Sequence, residues 1–341
     1  MTPISIAILV SPNSTASGVY GLSDVLSSIG TAWEMVVSRV PPSPRFTVRL
    51  VGAQKAPFRC VTGGMIAPDA TLNESIAPDI VLVPGISSTP SAPPGADQDP
   101  LLEWIEDRHA DGSRIVSACT GAIILAEAGL LDGKEATTHW AFREYFRQHF
   151  PRIHLRIKRS LCVTSDGIVT SGGTTAWQHL ALYLIEHYCG REQALRAAKF
   201  WLLTEPDGPQ SAYAAMPLPT DHEDSAIHEC QTWIQQNYKT ESPVEAMMEI
   251  ADLPPTTFAR RFRRATAHSP IEYVHAVRIE AAKAMLELSE APIESIGREI
   301  GYEDTASFRR LFKRQTGLAP REYRQLFGKP RFEKFSRLRT G

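Results

Sequence analysis

Residues 258–273 read FARRFRRATAHSPIEY, and residues 308–323 read FRRLFKRQTGLAPREY. Both segments follow the pattern Phe-x-Arg-x-Phe-x-Arg-x-Thr-x3-Pro-x2-Tyr, at an offset of 50 residues. A repeat with this period indicates a duplicated supersecondary unit. Residues four apart share one face of a helix, so each copy offers two phenylalanines to a core and two arginines on another face.

A short helical pattern and a tight turn precede each repeat, which predicts two helix-turn-helix units. The predicted helices are 243–250 and 255–265 in the first unit, and 292–300 and 305–315 in the second. Asp304 is a suitable N-cap for the second recognition helix, and Thr256 or Thr257 is a weaker one for the first. Arginine binds phosphates and pairs with guanine edges, so these helices predict DNA binding.

The alternative is a helical bundle that packs on a partner and keeps its arginines solvated. The charge distribution favours DNA. Residues 1–241 carry 18 Lys and Arg against 25 Asp and Glu, whereas residues 242–341 carry 18 against 13. An acidic body with a basic C-terminal segment is typical of a protein with a nucleic-acid-binding module.

Residues 225–327 resemble the AraC/XylS family of bacterial regulators. The resemblance is carried by ARRFRR at 259–264, RIEAAK at 278–283 and the run from Gly301 to Tyr323. It implies a long helix that links the two units and includes residues 278–288. One base-reading position is Ala259, which has no hydrogen-bonding group. Together with the arginine faces, the resemblance gives the predicted DNA-binding residues: Thr256, Thr257, Arg260, Arg264, Thr305, Ser307, Arg309, Arg310 and Arg314.

The N-terminal part alternates apolar strand patterns with helical patterns, which predicts a parallel sheet covered by helices on both faces. The fold class is therefore α/β followed by all-α. The predicted strands are 4–10, 46–51, 80–83, 114–117, 161–164 and 168–170, the last two as a pair. The predicted domains are 1–203, which senses a ligand and dimerises, a proline-rich linker at 204–221, a DNA-binding domain at 222–328 and a flexible basic tail at 329–341.

The segment IVSACTGAIILA at 115–126 predicts a strand, a sharp turn and a helix, with Cys119 in the turn. This arrangement matches a nucleophile elbow. A cysteine at a helix N-terminus is expected to be stabilised as the thiolate. The segment 119–140, with Val81–Gly85, resembles the DJ-1/PfpI branch of the class I glutamine-amidotransferase-like fold over residues 4–190. Fused to an AraC-type domain, this is the arrangement of GlxA-like regulators.

The resemblance predicts a ligand pocket at the elbow, with Cys119, Thr120, Gly85 and His139 as candidate contacts. It also bears on catalysis. Active members of the fold keep an acidic residue after the first strand, but the corresponding position is Gly18. Peptidase-like members have histidine after the cysteine, where this chain has Thr120. His139 is followed by Trp140 instead of an acid. We therefore expect no catalytic residue and no enzyme activity; the alternative is a cysteine hydrolase or amidotransferase-like enzyme fused to a DNA-binding domain.

Other sequence features narrow the class of protein. No apolar run approaches the ~18 residues that cross a bilayer, and the N-terminus lacks the basic flank of a signal peptide. Five scattered cysteines without a CxxC pair predict neither disulfides nor a metal site. We expect no cofactor, a cytoplasmic and nucleoid-associated bacterial protein, and a homodimer. Its expected partners are double-stranded DNA and a small effector, with RNA polymerase a further candidate; an architectural protein that needs no ligand is the third alternative.

Overall fold

The computed structural model describes residues 2–74, 77–87, 99–203, 209–215, 218 and 222–328. The chain divides into two compact units, residues 1–206 and residues 207–341. The predicted tail at 329–341 lies outside the described residues, as do residues 88–98.

Short strands form the centre of the first unit. They are β1 (Ile4–Val10), β2 (Phe46–Gly52), β3 (Phe58–Arg59), β4 (Met65–Ile66), β5 (Ala70–Thr71), β6 (Ile80–Val83), β7 (Arg114–Ala118), β8 (Glu135–Ala136), β9 (His154–Leu155), β10 (Leu161–Val163) and β11 (Val169–Ser171). Seven of them form one sheet in the order β10-β11-β7-β6-β1-β2-β5. Neighbouring strands are parallel except at the β10–β11 edge, which is antiparallel.

Helices cover both faces of this sheet. They are α1 (Ala16–Ser27), α2 (Asp99–Ala110), α3 (Gly121–Glu127), α4 (Arg143–His149), α5 (Trp177–Cys189) and α6 (Arg191–Trp201). Alternate residues of a strand face opposite sides of a sheet. Ile6 and Ile8 therefore pack with α1, α5 and α6, whereas Ala7 and Leu9 pack with α2, α3 and α4. The predicted α/β architecture is confirmed.

Some local structure differs from the prediction. The sequence pattern predicts a helix over Thr174–Tyr188, but the observed helix begins at Trp177, because Gly173 has φ +94° and residues 173–176 form a turn closed by the Ala176 N–H. The sequence pattern also missed the π-helical turn Glu34–Ser38 and the two-residue strands β3, β4, β5, β8 and β9. Two residues are too few to show a period.

The described part of the second unit is helical. Its helices are α7 (Gln210–Tyr213), α8 (Ser225–Asn237), α9 (Pro243–Ala251), α10 (Pro255–Thr266), α11 (Pro270–Leu288), α12 (Ile293–Glu299), α13 (Thr305–Thr316) and α14 (Pro320–Phe327). The pairs α9–α10 and α12–α13 form the two helix-turn-helix motifs. Each recognition helix buries the phenylalanine pair of its repeat, Phe258 with Phe262 and Phe308 with Phe312, in a separate core.

Two expectations for this unit need correction. The linker predicted at 204–221 is too long, because α7 packs within the second unit: Ala212 is buried with Phe308, and the Ser211 hydroxyl donates to the Thr316 carbonyl at 2.8 Å. Thr256 and Thr257 do not cap α10, because the helix already begins at Pro255 and its N-cap, Pro254, offers no side-chain acceptor. Asp304 caps α13 as predicted, accepting the N–H groups of Ala306 and Ser307.

Candidate ligand site and nucleic-acid interface

Cys119 occupies the sharp turn between β7 and α3. Its φ of +56° lies in the left-handed region, which costs an L residue about 1–2 kcal/mol. Two hydrogen bonds hold this conformation: the Cys119 N–H donates to the Ser171 carbonyl at 2.7 Å, and the Thr138 hydroxyl donates to the Cys119 carbonyl at 3.0 Å. A Cβ at Gly121 would lie 2.4 Å from the Val83 carbonyl oxygen, so glycine allows α3 to begin close against β6.

A cavity of about 180 Å³ opens beside this turn. It lies at the carboxyl ends of β1, β6, β7 and β11, the edge where α/β sheets usually bind ligands. Cys119, Thr120, Gly85 and His139, the four residues predicted from the sequence, come together in its wall. The remaining described lining residues are Thr15, Gly18, Ile86, Ser87, Ala118, Phe142, Thr174 and Trp177. Gly18 was identified from the sequence as the position of the missing acid, and Thr15, which lies in the same segment after the first strand, could have been found in the same way.

The titratable groups of the cavity are held in their neutral forms. Burial raises the pKa of the Cys119 thiol above its usual value, and this outweighs the lowering effect of the neighbouring Thr120. Burial lowers the pKa of His139. The His139 Nδ1 accepts the Ala141 N–H at 3.2 Å, which assigns the proton of the neutral ring to Nε2. Burial therefore opposes the thiolate expected at Cys119 from its place at a helix N-terminus.

The cavity also lacks the acid that would support a reactive cysteine. Gly18, at the position where active members of the fold carry the acid, lines the cavity without a side chain. No Asp, Glu, Lys or Arg belongs to the wall as far as the described residues form it. With Nδ1 of His139 bonded to Ala141 and Nε2 protonated, this ring is not set to accept a proton from Cys119.

The described residues contain no group of three or more His, Cys, Asp or Glu side chains placed to hold a metal ion. Among the described helices, none is both long enough and apolar enough to cross a bilayer.

In the first recognition helix, α10, Thr256, Arg260 and Arg264 are spaced by four residues and exposed, while Thr257 is half-buried. Their spacing places the two arginines on one helix face, as predicted. Arg261 differs from its neighbours. Its Nε and Nη2 donate to both carboxylate oxygens of Asp224, at 2.9 and 2.7 Å, so Arg261 ties α10 to the start of α8.

In the second recognition helix, α13, Arg309, Arg310 and Arg314 are exposed, and Thr305 and Ser307 are half-buried. The Arg310 Nη2 donates to the Ser307 hydroxyl at 2.8 Å, and that hydroxyl donates to Asp304 at 2.7 Å. Arg309 forms an ion pair with Glu294 of α12. Side chains that the sequence assigns to DNA thus already bond to one another at the N-terminal end of α13.

Comparison with protein families gives a direct assignment. A sequence model of the DJ-1/PfpI family matches residues 6–187, which is more than half of the chain. The chain belongs to the DJ-1/PfpI family. A second model, described as a helix-turn-helix domain, matches residues 247–326.

Individual relatives of this DJ-1/PfpI-family chain include regulators and an enzyme. It is 29% identical to the HTH-type transcriptional regulator GlxA of Rhizobium meliloti over 224 residues, 64% of this chain and 67% of that protein. It is 28% identical to the isonitrile hydratase of Pseudomonas putida over 191 residues, 56% of this chain and 75% of the hydratase. Drosophila melanogaster DJ-1beta superposes with a TM-score of 0.48 at 18% identity, over 60% of this chain and 100% of that chain.

These matches confirm both resemblances predicted from the sequence. The chain is a DNA-binding regulator of the helix-turn-helix class with a DJ-1/PfpI-type N-terminal unit. The similar curated proteins include transcriptional regulators as well as an enzyme, so the family alone does not decide whether Cys119 is catalytic. The individual ligand and DNA contacts stay predictions.

Proposed function

We propose that this DJ-1/PfpI-family chain is a ligand-responsive transcription regulator. Its helix-turn-helix motifs bind operator DNA, and its first unit binds a small effector in the cavity beside Cys119. The effector half of this proposal is supported by the cavity itself, because it lies at a strand-turn-helix elbow and its described wall holds no Asp, Glu, Lys or Arg. A pocket built in this way binds a small molecule without the groups needed to activate the thiol.

The cavity wall limits the chemistry of the effector. A volume of about 180 Å³ is below the ~300–1,000 Å³ of drug-sized sites, which favours a compact metabolite. The aromatic rings of Phe142 and Trp177 offer apolar faces, and the Nε2–H of His139 is one of the hydrogen-bond donors of the wall. These groups favour an uncharged ligand, or a cation that binds over the faces of the aromatic rings.

The groups in this wall favour a sensor function over an enzyme function. A cysteine nucleophile needs an adjacent base or a depressed pKa. In this chain burial raises the pKa of Cys119, Gly18 stands at the position of the supporting acid, and His139 carries its proton on Nε2. The likeness to isonitrile hydratase and the strained Cys119 backbone favour the alternative, a cysteine enzyme fused to a DNA-binding domain.

A ligand screen separates the sensor from the enzyme. The full chain is screened by thermal shift against amino acids, amines and other small nitrogenous metabolites, because a ligand of the native state raises Tm. Each hit is then incubated with the chain and followed by NMR. A sensor binds the hit and returns it unchanged, and Cys119→Ala loses the shift. Turnover that disappears in Cys119→Ala would establish the enzyme. Cys162→Ala, which changes a buried cysteine in β10, is the control.

The regulator is proposed to act as a homodimer of the first unit. Apolar side chains are exposed in and after the π-helical turn and in and after α6: Met35, Val36, Val37, Val40, Leu195, Phe200, Trp201 and Leu202. Arg196 pairs with Glu34 at 3.3 Å and the Trp201 Nε1–H donates to the Ser28 hydroxyl, which joins the two segments in one surface. Each of these apolar side chains can contribute on the order of 100 Å² of surface. Together they approach the ~800 Å² that each partner contributes to a standard interface.

The dimer surface is tested by light scattering of the full chain. Val36→Glu and Leu195→Glu should convert a dimer to a monomer, because each places a charge in an apolar interface. Val163→Glu, a similarly exposed valine on β10, should leave the dimer intact. A wild-type chain that is monomeric at micromolar concentration would rule this surface out. We also propose that the regulator recruits RNA polymerase. Its proposed location is the cytoplasm, in association with the nucleoid.

A further inference from the structure

The two helix-turn-helix motifs pack in separate cores that share one long helix. In α11, Tyr273, Val274 and Val277 belong to the core of the first motif, while Ile279, Ala282 and Leu286 belong to that of the second. A helix of 19 residues spans about 28 Å at 1.5 Å per residue. It sets the separation of the motifs, but their rotation about its axis depends on contacts beside it.

Arg278 lies at the boundary between these two cores and is only 7% exposed. Its Nε donates to the Tyr238 carbonyl at 2.7 Å, and its Nη2 donates to the Thr240 carbonyl at 2.9 Å. Both carbonyls belong to the segment between α8 and α9, on the side of the first motif. The planar guanidinium group can hold two such acceptors in fixed directions.

The same guanidinium group contacts the turn of the second motif. Its Cζ lies 5.2 Å from the centre of the Tyr302 ring. Gly301, with φ +87°, passes so near that an added Cβ would lie 2.8 Å from the Arg278 Nη2 and 3.1 Å from the Lys239 carbonyl oxygen. Lys239 also forms an ion pair with Glu299 at the end of α12. Segment 238–240 and turn 300–302 therefore meet at Arg278.

We propose that Arg278 is a positioning residue that fixes the rotation of α10 relative to α13, so that the chain binds two DNA boxes at one spacing only. Arg278 acts through the two motifs it joins and does not itself contact DNA. This inference rests on the DNA-binding function and deepens it, because it makes the spacing of the boxes part of what the protein recognises.

The geometry of DNA makes this property measurable. Successive major grooves on one face of the duplex repeat every 34–36 Å, or about 10–10.5 base pairs. Inserting two base pairs moves the second box by about 7 Å and rotates it by about 70°. A rigid pair of motifs loses one box on such a duplex, whereas a loosened pair can follow it.

The experiment uses the full chain and a duplex that it selects from a randomised library. Its Kd is measured by gel shift for the selected duplex and for the same duplex with two base pairs inserted between the boxes. We expect the insertion to weaken wild-type binding by about a hundredfold, within the usual range of coupling between sites. Arg278→Met should weaken binding to the selected duplex and reduce the insertion penalty to less than about tenfold.

Lys283→Met is the matched control. Lys283 lies on the same helix, is equally buried at 7%, and donates to the Ala214 carbonyl, away from the turn at Gly301. It should keep the wild-type insertion penalty. If Arg278→Met fails to fold, Arg278→Lys serves instead: it keeps the charge but reaches one carbonyl, so its penalty should be intermediate.

Each outcome has one meaning. A smaller penalty in the Arg278 variants alone supports the proposal. If an Arg278 variant weakens binding to both duplexes by the same factor, the insertion penalty is unchanged. Arg278 would then only stabilise the fold, and the proposal would be overturned. A wild-type chain that selects no duplex would instead overturn the DNA-binding function.

Discussion

The Thr120 hydroxyl bonds to both polar backbone groups of Ile86: it accepts the Ile86 N–H at 2.9 Å and donates to the Ile86 carbonyl at 2.5 Å. This pair of bonds joins the Cys119 turn to the loop after β6, so two walls of the cavity form one rigid piece. Thr120 was predicted as a ligand contact. Because its hydroxyl is already committed, we infer that it shapes the cavity and leaves recognition to other residues.

Replacing Thr120 tests this role. Thr120→Val keeps the shape but leaves the buried Ile86 N–H and carbonyl without partners, which should lower the free energy of unfolding by about 1–3 kcal/mol. Thr120→Ser keeps the hydroxyl and should lose less. Urea unfolding of the full chain, followed at a wavelength that reports the first unit, measures both. A Thr120→Val chain as stable as Thr120→Ser would show that the two bonds contribute nothing.

The neutral thiol of Cys119 predicts slow alkylation. The thiolate is the reactive form, and burial raises the Cys119 pKa, so iodoacetamide should modify Cys119 more slowly at pH 7 than it modifies free cysteine. The rate should keep rising with pH beyond the range in which free cysteine levels off. Peptide mapping by mass spectrometry distinguishes Cys119 from the other four cysteines. If Cys119 is modified faster than free cysteine at pH 7, it is present as a thiolate, and this result would favour the enzyme alternative.

The limits of the sequence prediction follow from how far each signal reaches along the chain. Asp304 was identified as a cap because its partners, Ala306 and Ser307, lie two and three residues away. The Thr120–Ile86 bonds join residues 34 apart. The pairing of Arg261 with Asp224 spans 37 residues, and nothing in the RRFRR run distinguishes Arg261 from its exposed neighbours. Local patterns therefore predicted the helices and the elbow. The long-range bonds of Thr120 and Arg261 could be identified only in the folded structure.

The two arginines Arg310 and Arg261 should behave differently in DNA binding. Arg310→Ala removes an exposed group on the predicted reading face of α13 and should cost roughly 1–3 kcal/mol of specific binding, with relaxed preference at one base pair. Arg261→Ala breaks the ion pair with Asp224, so it should lower Tm and leave base preference intact. Gel shifts on a selected duplex and its single-base variants measure preference. Unchanged affinity and preference in Arg310→Ala would exclude a reading role.

Glu127, the last residue of α3, gives the first unit a pH-dependent stability. Burial raises the pKa of this half-buried carboxyl to about 7, whereas an unfolded glutamate titrates near 4.3. Between these values the folded chain keeps a proton that the unfolded chain releases, so stability falls as pH rises. Above pH 7 both forms are ionised, and the whole penalty of the buried charge is present.

Glu127→Gln removes that charge and should therefore raise Tm most above pH 7, with little effect at pH 4.5, where the wild-type carboxyl is protonated in the folded state. Differential scanning calorimetry of the full chain at pH 4.5, 6 and 8 measures the difference. Glu106→Gln, an exposed glutamate on α2, controls for the general effect of removing one negative charge. The assignment fails if the gain in Tm is the same at all three pH values, or if Glu106→Gln reproduces it, because neither result requires a buried carboxyl that titrates near neutrality.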